Sequence, residues 1–135
     1  MKYWLVKSEP EEYNLEDLIN DKTGTWDGVR NYQARNFMRQ MKINDLVFIY
    51  YSGKNSRIAG LAKVVSPPFP DPTDETGKWS AIHMEFVDKF RHQPTLKTLK
   101  QEPVFQDSFL VRNSRLSVMP VSQEEADVIY SLMLK

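Results

Sequence analysis

The 135-residue chain contains no cysteine. That excludes disulfides, thiolate catalysis and cysteine-held metals, and it leads us to expect a reducing, cytoplasmic location. The two histidines, His83 and His92, match no metal-ligand spacing, and no Ser, His and Asp set sits in a nucleophile context. Five glycines are too few and too scattered to build a phosphate-cradling loop. No apolar run approaches the roughly 18 residues of a membrane span, and the N-terminal stretch is too short for a signal peptide. No catalytic group, metal, cofactor or membrane partner is therefore expected. Net charge is also lacking: 18 basic and 18 acidic residues cancel, which argues against a general polyanion binder.

What the chain has is a 41% hydrophobic content and 12% aromatic residues, enough for one globular core over residues 1–135. Its charges are unevenly spread. Gly28 to Asn44 holds Arg30, Arg35, Arg39 and Lys42 with no acid, and Lys89 to Lys100 is likewise acid-free. Such segments suit phosphate, and they equally suit solvated helix faces.

Hydrophobic patterning predicts the elements. Tyr3-Trp4-Leu5-Val6 reads as a first strand. Asn14, three residues before Asp17, predicts a capped helix ending near Gly24, with Trp26-Asp27-Gly28 as a loop. Asn31 is placed to cap a helix over Tyr32 to Met41, whose Ala34, Phe37, Met38 and Met41 share an inner face. Strands are predicted over Asp45 to Ser52, Arg57 to Val65 and Trp79 to Phe90, with Gly60 marking a bulge or a close backbone approach. Ser66 to Thr76 is a proline-rich loop, where Asp71 and Asp74 read as turn residues. Thr95 to Gln101 suits one or two helical turns, and Leu110 to Val121 one or two strands. Ser122 with Glu125 opens a final helix. Adjacent strands with few crossover helices imply an α+β fold around a mixed or antiparallel sheet curled into a small barrel.

The binding chemistry concentrates between Trp26 and Asn36. A lone base is read by rings that stack on its face and by amides that pair with its edge. Trp26 supplies a ring, and Asn31, Gln33 and Asn36 supply amides, while Arg30 and Arg35 suit phosphate or stacking. Lys7-Ser8 and Tyr50-Tyr51-Ser52 emerge at strand ends. Each residue also has a plainer role: Trp26 at the core edge, Asn31 as a helix cap, Arg35 as a surface charge.

Several stretches resemble the EVE domain family: Tyr3 to Pro10, Trp26 to Met38, Asp45 with Tyr50-Tyr51-Ser52, Gly60, Pro70-Asp71-Pro72-Thr73 and Arg115 to Val121. The resemblance implies a PUA-like mixed β pseudo-barrel of five or six strands flanked by helices, related to YTH and ASCH domains. It implies a pocket for a modified base in DNA or RNA, with modified cytosine or adenine as ligands. In that pocket Lys7, Ser8 and Glu9 line one side, and Trp26 stacks. Gly28, Val29, Arg30 and Asn31 form the rim, Tyr51 and Ser52 contribute from a strand end, and Phe69-Pro70 is the opposing wall. Arg30, Arg35, Arg39 and Arg115 are the expected phosphate contacts. Tyr51 stands where the family often has His, and Phe69 where it usually has Tyr, which implies a changed base preference. We expect a monomeric, non-enzymatic reader. The alternatives are a nucleoside hydrolase using Glu9 or Asp71 as general base, or a protein-interaction module.

Overall fold

Three of the expected caps start helices in the computed structural model, which describes residues 1–134. Asn14 and Asp17 form a reciprocal capping box ahead of α1 (Leu15–Asp21), and Ser122 and Glu125 form another ahead of α5 (Gln123–Met133). The Asn31 side chain accepts the Ala34 amide and opens α2 (Tyr32–Met38). This helix is shorter than predicted: the chain tightens after Met38, where the Gln40 and Met41 amides bond back only three residues. Two further helices are single turns, α3 (Leu96–Leu99) and α4 (Phe109–Arg112), each with a hydroxyl cap from Thr95 or Ser108.

Seven strands make up the sheet: β1 (Tyr3–Ser8), β2 (Thr23–Trp26), β3 (Leu46–Tyr51), β4 (Arg57–Val64), β5 (Phe69–Pro70), β6 (Ser80–Lys89) and β7 (Val118–Val121). Their order is β2-β6-β4-β3-β1-β7, with β5 paired to β6. Among the described residues only β1 and β3 run parallel; the other pairs are antiparallel, so the sheet is mixed. Two expectations are corrected here. Thr23 to Trp26 is a strand rather than a helix end and loop, because α1 stops at Lys22 (φ 65°) and the chain then pairs with Ile82 to Glu85. Leu110 is helical: Ser108 caps a turn through Arg112, and the strand begins only at Val118. Pro120 sits in that edge strand, where its missing N–H costs no ladder bond on the open side.

β1 lies between β3 and β7, and Trp4, Leu5 and Val6 are at most 1% exposed, which explains the unbroken apolar run. The Trp4 indole packs at a tilt 6.4 Å from Phe37 of α2 and donates Nε1–H to Asp45 Oδ2 at 2.9 Å. Burial alone would raise the Asp45 carboxyl. Hydrogen bonds from Trp4 and from the Lys2 and Lys42 amides outweigh it and hold the group below its ordinary value. Phe48 of β3 stacks on Tyr3 and meets Phe90 and Tyr130, which ties α5 to the sheet.

Gly60 behaves as its position in the sequence predicts. Beside it Ala59 is an extra residue against β3, since Ile49 pairs with Gly60 and Tyr50 with Ile58. A Cβ on Gly60 would lie 2.5 Å from both the Asp88 carbonyl oxygen and Leu15 Cδ1. Among the described residues no helix is long and apolar enough to cross a membrane.

Candidate base-binding site

Parallel pairing makes β1 and β3 end at the same edge. Ser8 is opposite Tyr51, and the Ser52 amide donates to the Ser8 carbonyl at 3.0 Å. The Lys7 amide reaches the Ser117 carbonyl at 2.9 Å, which brings in the loop ahead of β7. The end of β2 and the segment after it close the remaining side. Together they wall a cavity of about 630 Å³, within the roughly 300–1,000 Å³ of small-molecule sites.

Most of the expected pocket residues meet there. Lys7, Ser8 and Glu9 come from the end of β1, Trp26 to Asn31 from the end of β2, and Ser52 from the end of β3. Glu12, Tyr13, Thr25, Asp27, Ser114 and Ser117 complete the walls. None of these was singled out from the sequence. Asp27 lay within the flagged Trp26 to Asn36 segment without a role; the others carry no local signal, because the serines arrive through a β1 contact more than a hundred residues away.

Three expected residues lie elsewhere. Tyr51 is the last residue of β3 and turns into the core, 7% exposed. Its hydroxyl accepts the Leu15 amide at 2.7 Å, and the Arg57 guanidinium covers its ring at 5.0 Å. Strand alternation explains the difference from Ser52, which faces the cavity. Phe69 and Pro70 form β5 alongside Ala81 and Ser80, and this pairing carries them to a separate cleft with Arg39 and Trp79. There the Phe69 ring lies 4.6 Å from the His83 ring, whose Nδ1 is 3.1 Å from Thr25 Oγ1. His83 is thus structural.

The ring and the polar groups of the cavity are held before any ligand arrives. Trp26 is half-buried, and Tyr13 meets it edge-on at 6.1 Å and 83°, which fixes the tilt of the indole. Asn31 uses its amide oxygen as the cap of α2, so the carbonyl is committed. Its Nδ2 makes no hydrogen bond among the described residues and remains a donor. Lys7 Nζ donates to the Ser114 carbonyl at 3.0 Å, and burial pulls the lysine below its ordinary pKa. Glu9, Glu12 and Asp27 place exposed carboxylates around the same space.

The rim is fastened by Asp71. This carboxylate, 1% exposed, accepts the Gly28 amide at 2.8 Å, Arg30 Nη1 at 3.0 Å, the Thr73 amide at 2.7 Å and the Thr73 hydroxyl at 2.6 Å. Burial pushes its pKa up, but the Thr73 hydroxyl, the Gly28 and Thr73 amides and the Arg30 guanidinium outweigh burial and bring it down to about 2. Gly28 takes φ 78°, which lets its N–H aim at Asp71. Asp71 is more than a turn residue: it joins the Trp26 to Asn31 rim to the proline-rich loop.

The expected phosphate contacts divide. Arg30 is spoken for, its charge matched by Asp71 and its Nη2 bonded to Thr73 Oγ1 at 3.0 Å. Arg35 and Arg39 both donate to the Lys78 carbonyl, at 3.0 and 3.1 Å, and neither has a carboxylate partner among the described residues. Arg115 is exposed and also without an ion pair among them. No group of three His, Asp or Glu side chains gathers as metal ligands among the described residues.

A family model described as EVE domain matches residues 2–132. Mouse thymocyte nuclear protein 1 is 38% identical, with 96% of this chain and 73% of that protein aligned, and the human protein is 35% identical over the same shares. A crystal structure of human THYN1 in complex with DNA containing 5-methylcytosine has a TM-score of 0.88, with 36% identity over 100% of this chain and 99% of that one. The YTH domain of Zygosaccharomyces rouxii MRB1, solved with N6-methyladenosine RNA, has a TM-score of 0.61 at 17% identity over 98% of this chain and 86% of that one, a likeness of PUA-like α+β fold alone.

Proposed function

Because this chain belongs to the EVE domain family, we propose that it is a non-enzymatic module that reads a modified base of DNA or RNA in the cavity walled by Trp26. One observation carries the reading: the cavity lies in a fold that matches, at 36% identity over its whole length, a protein crystallised on DNA containing 5-methylcytosine. The chemistry of the walls supports it. Trp26 offers a face for stacking, Asn31 Nδ2 a donor, and Glu9, Glu12 and Asp27 acceptors. Acceptors suit a base with an exocyclic amino group, as in cytosine or adenine, since carboxylates accept from such groups. Neither Tyr51 nor Phe69 lines the cavity, so base preference rests on these other groups. A monomeric state and a cytoplasmic location belong to the same proposal.

The hydrolase alternative loses one of its two bases. Asp71 accepts four hydrogen bonds and is held to about 2, far from a base poised near neutral pH.

The test is a titration of the full chain against matched oligonucleotides carrying cytosine, 5-methylcytosine, adenine or N6-methyladenine at one position. Base–aromatic stacking contributes about 1–3 kcal/mol, so Trp26→Ala should weaken binding of the preferred strand about five- to a hundred-fold while the chain stays folded. Equal affinity of wild type for every strand, or an unaffected Trp26→Ala variant, refutes the reading.

A further inference from the structure

Beside the cavity lies a second set of rings and cations that the base pocket does not use. Tyr32, the first residue of α2, is 57% exposed, large for an aromatic side chain. Its ring stacks on Trp79 at 4.9 Å and 28°. The Arg35 guanidinium stands 4.8 Å from the Tyr32 centroid and 5.8 Å from the Trp79 centroid. Those separations close a triangle. A guanidinium on the far face of Tyr32 would be nearly twice as distant from Trp79, so Arg35 sits on the Trp79 side. Among the described residues no other ring or cation lies against Tyr32. One face of this tyrosine is therefore open to solvent, in a fixed orientation.

Two cations flank the ring from the Trp79 side, Arg35 over both rings and Arg39 one turn further along, in the cleft with Trp79. Arg35 and Arg39 are one helical turn apart, and both are pinned to the Lys78 carbonyl. Arg35 is held further by Asn36 Oδ1, and Arg39 by Ser80 Oγ at 2.9 Å. Every acceptor is neutral, so among the described residues both positive charges remain uncompensated and are already aimed. A flat open ring beside two preset guanidinium groups matches a nucleotide, which offers a base face and a phosphate together. The site is continuous with the cavity. Asn31, which lines it, precedes Tyr32 in sequence, and the Arg30 guanidinium on the rim also lies 5.6 Å from Trp79.

We propose that Tyr32, Arg35 and Arg39 form a second nucleotide subsite, in which Tyr32 stacks on an unpaired base neighbouring the one held in the cavity and the two arginines hold its phosphate. This rests on the base-reading function above and adds which flanking group the protein grips. Taking one base out of the stack leaves its neighbour with an exposed face, and Tyr32 covers that face.

The experiment uses short single strands with cytosine or 5-methylcytosine at one position and, next to it on either side, a normal or an abasic nucleotide with sugar and phosphate kept. Wild type, Tyr32→Phe and Tyr32→Ala are titrated against each. Removing the stacked neighbour should weaken wild type and Tyr32→Phe about five- to a hundred-fold. Tyr32→Ala should show that loss already on the intact strand and should no longer respond to the abasic nucleotide. Tyr32→Leu, which keeps apolar bulk against Trp79 without a ring, should behave like Tyr32→Ala, and thermal melting checks that both fold. Tyr32→Ala and Tyr32→Leu binding the intact strand as wild type does, or losses that simply multiply, would overturn the proposal. The base reading is judged separately, by the affinity ratio of 5-methylcytosine to cytosine. A ratio of one with the Tyr32 coupling intact would sink the reading and leave the subsite.

Discussion

Replacing Asp71 by Asn changes one oxygen to an NH2 group and little else in shape. The side chain is buried, and every group around it donates: Gly28 N–H and Arg30 at Oδ2, Thr73 N–H and its hydroxyl at Oδ1. An amide can accept on one side only. In either flip its NH2 faces a backbone N–H, of Gly28 or of Thr73, and leaves that donor unpaired. Hydrogen bonds to a charged group contribute roughly 1.5–3 kcal/mol, and a stranded buried donor costs about 1–3 kcal/mol. Arg30 is partly exposed and recovers much of its loss in water. The expected net destabilisation is thus about 2–3 kcal/mol in urea unfolding at pH 7. The pH dependence has a definite sign. The carboxyl titrates near 3.8 when unfolded and about 2 when folded, a depressed group. Its stabilisation is complete above pH 4 or so, and it fades as pH falls through 2. The gap between wild type and Asp71→Asn should therefore narrow below pH 4 and stay flat above it. Released from Asp71, the Gly28 rim should also loosen, and base binding should weaken. A gap under about 0.5 kcal/mol at neutral pH, or one that widens toward acid, would refute the reasoning.

Two other perturbations separate structural from electrostatic roles. Gly60→Ala should cost about 1–3 kcal/mol by calorimetry or urea unfolding, because the new methyl meets a backbone oxygen that cannot move aside; a neutral result would mean that β4 and β6 shift freely. Arg35→Gln and Arg39→Gln should each lower the slope of log K against log salt by about 0.7–0.9, whereas Arg30→Gln, whose charge Asp71 already matches, should leave the slope unchanged; equal effects of all three would contradict this division.

Much of the fold was legible because its signals are local. Asn14, Asn31 and Ser122 each mark a helix by a side chain that bonds within three residues, and Leu46 to Tyr51 is apolar because both faces of β3 are covered. The misreadings share a cause. Thr23 to Trp26 has no strand signature of its own and becomes β2 only through pairing with β6 some sixty residues later. The turn after Ser108 is too short to show a helical period. The same limit governs the site. Trp26 to Asn31 is one segment and could be read as one. Tyr51 and Ser52 looked equivalent until the pleat sent them to opposite sides. Asp71 looked like turn chemistry, and the Tyr32–Trp79 stack was invisible, because each depends on contacts spanning more than forty residues.

The single parallel pair, β1 with β3, has a consequence for how ligands can be found. Its strands are joined only through β2 and two helices, so the edge where Ser8 and Ser52 meet exists only once most of the chain has come together. No short fragment can carry the cavity. Occupancy and global folding are then one thermodynamic equilibrium, and any base that fits must raise the melting point of the entire protein. At a hundredfold excess over its dissociation constant the gain is about 2.7 kcal/mol, so a thermal-shift screen of free modified nucleosides can rank candidates without knowing the strand they come from.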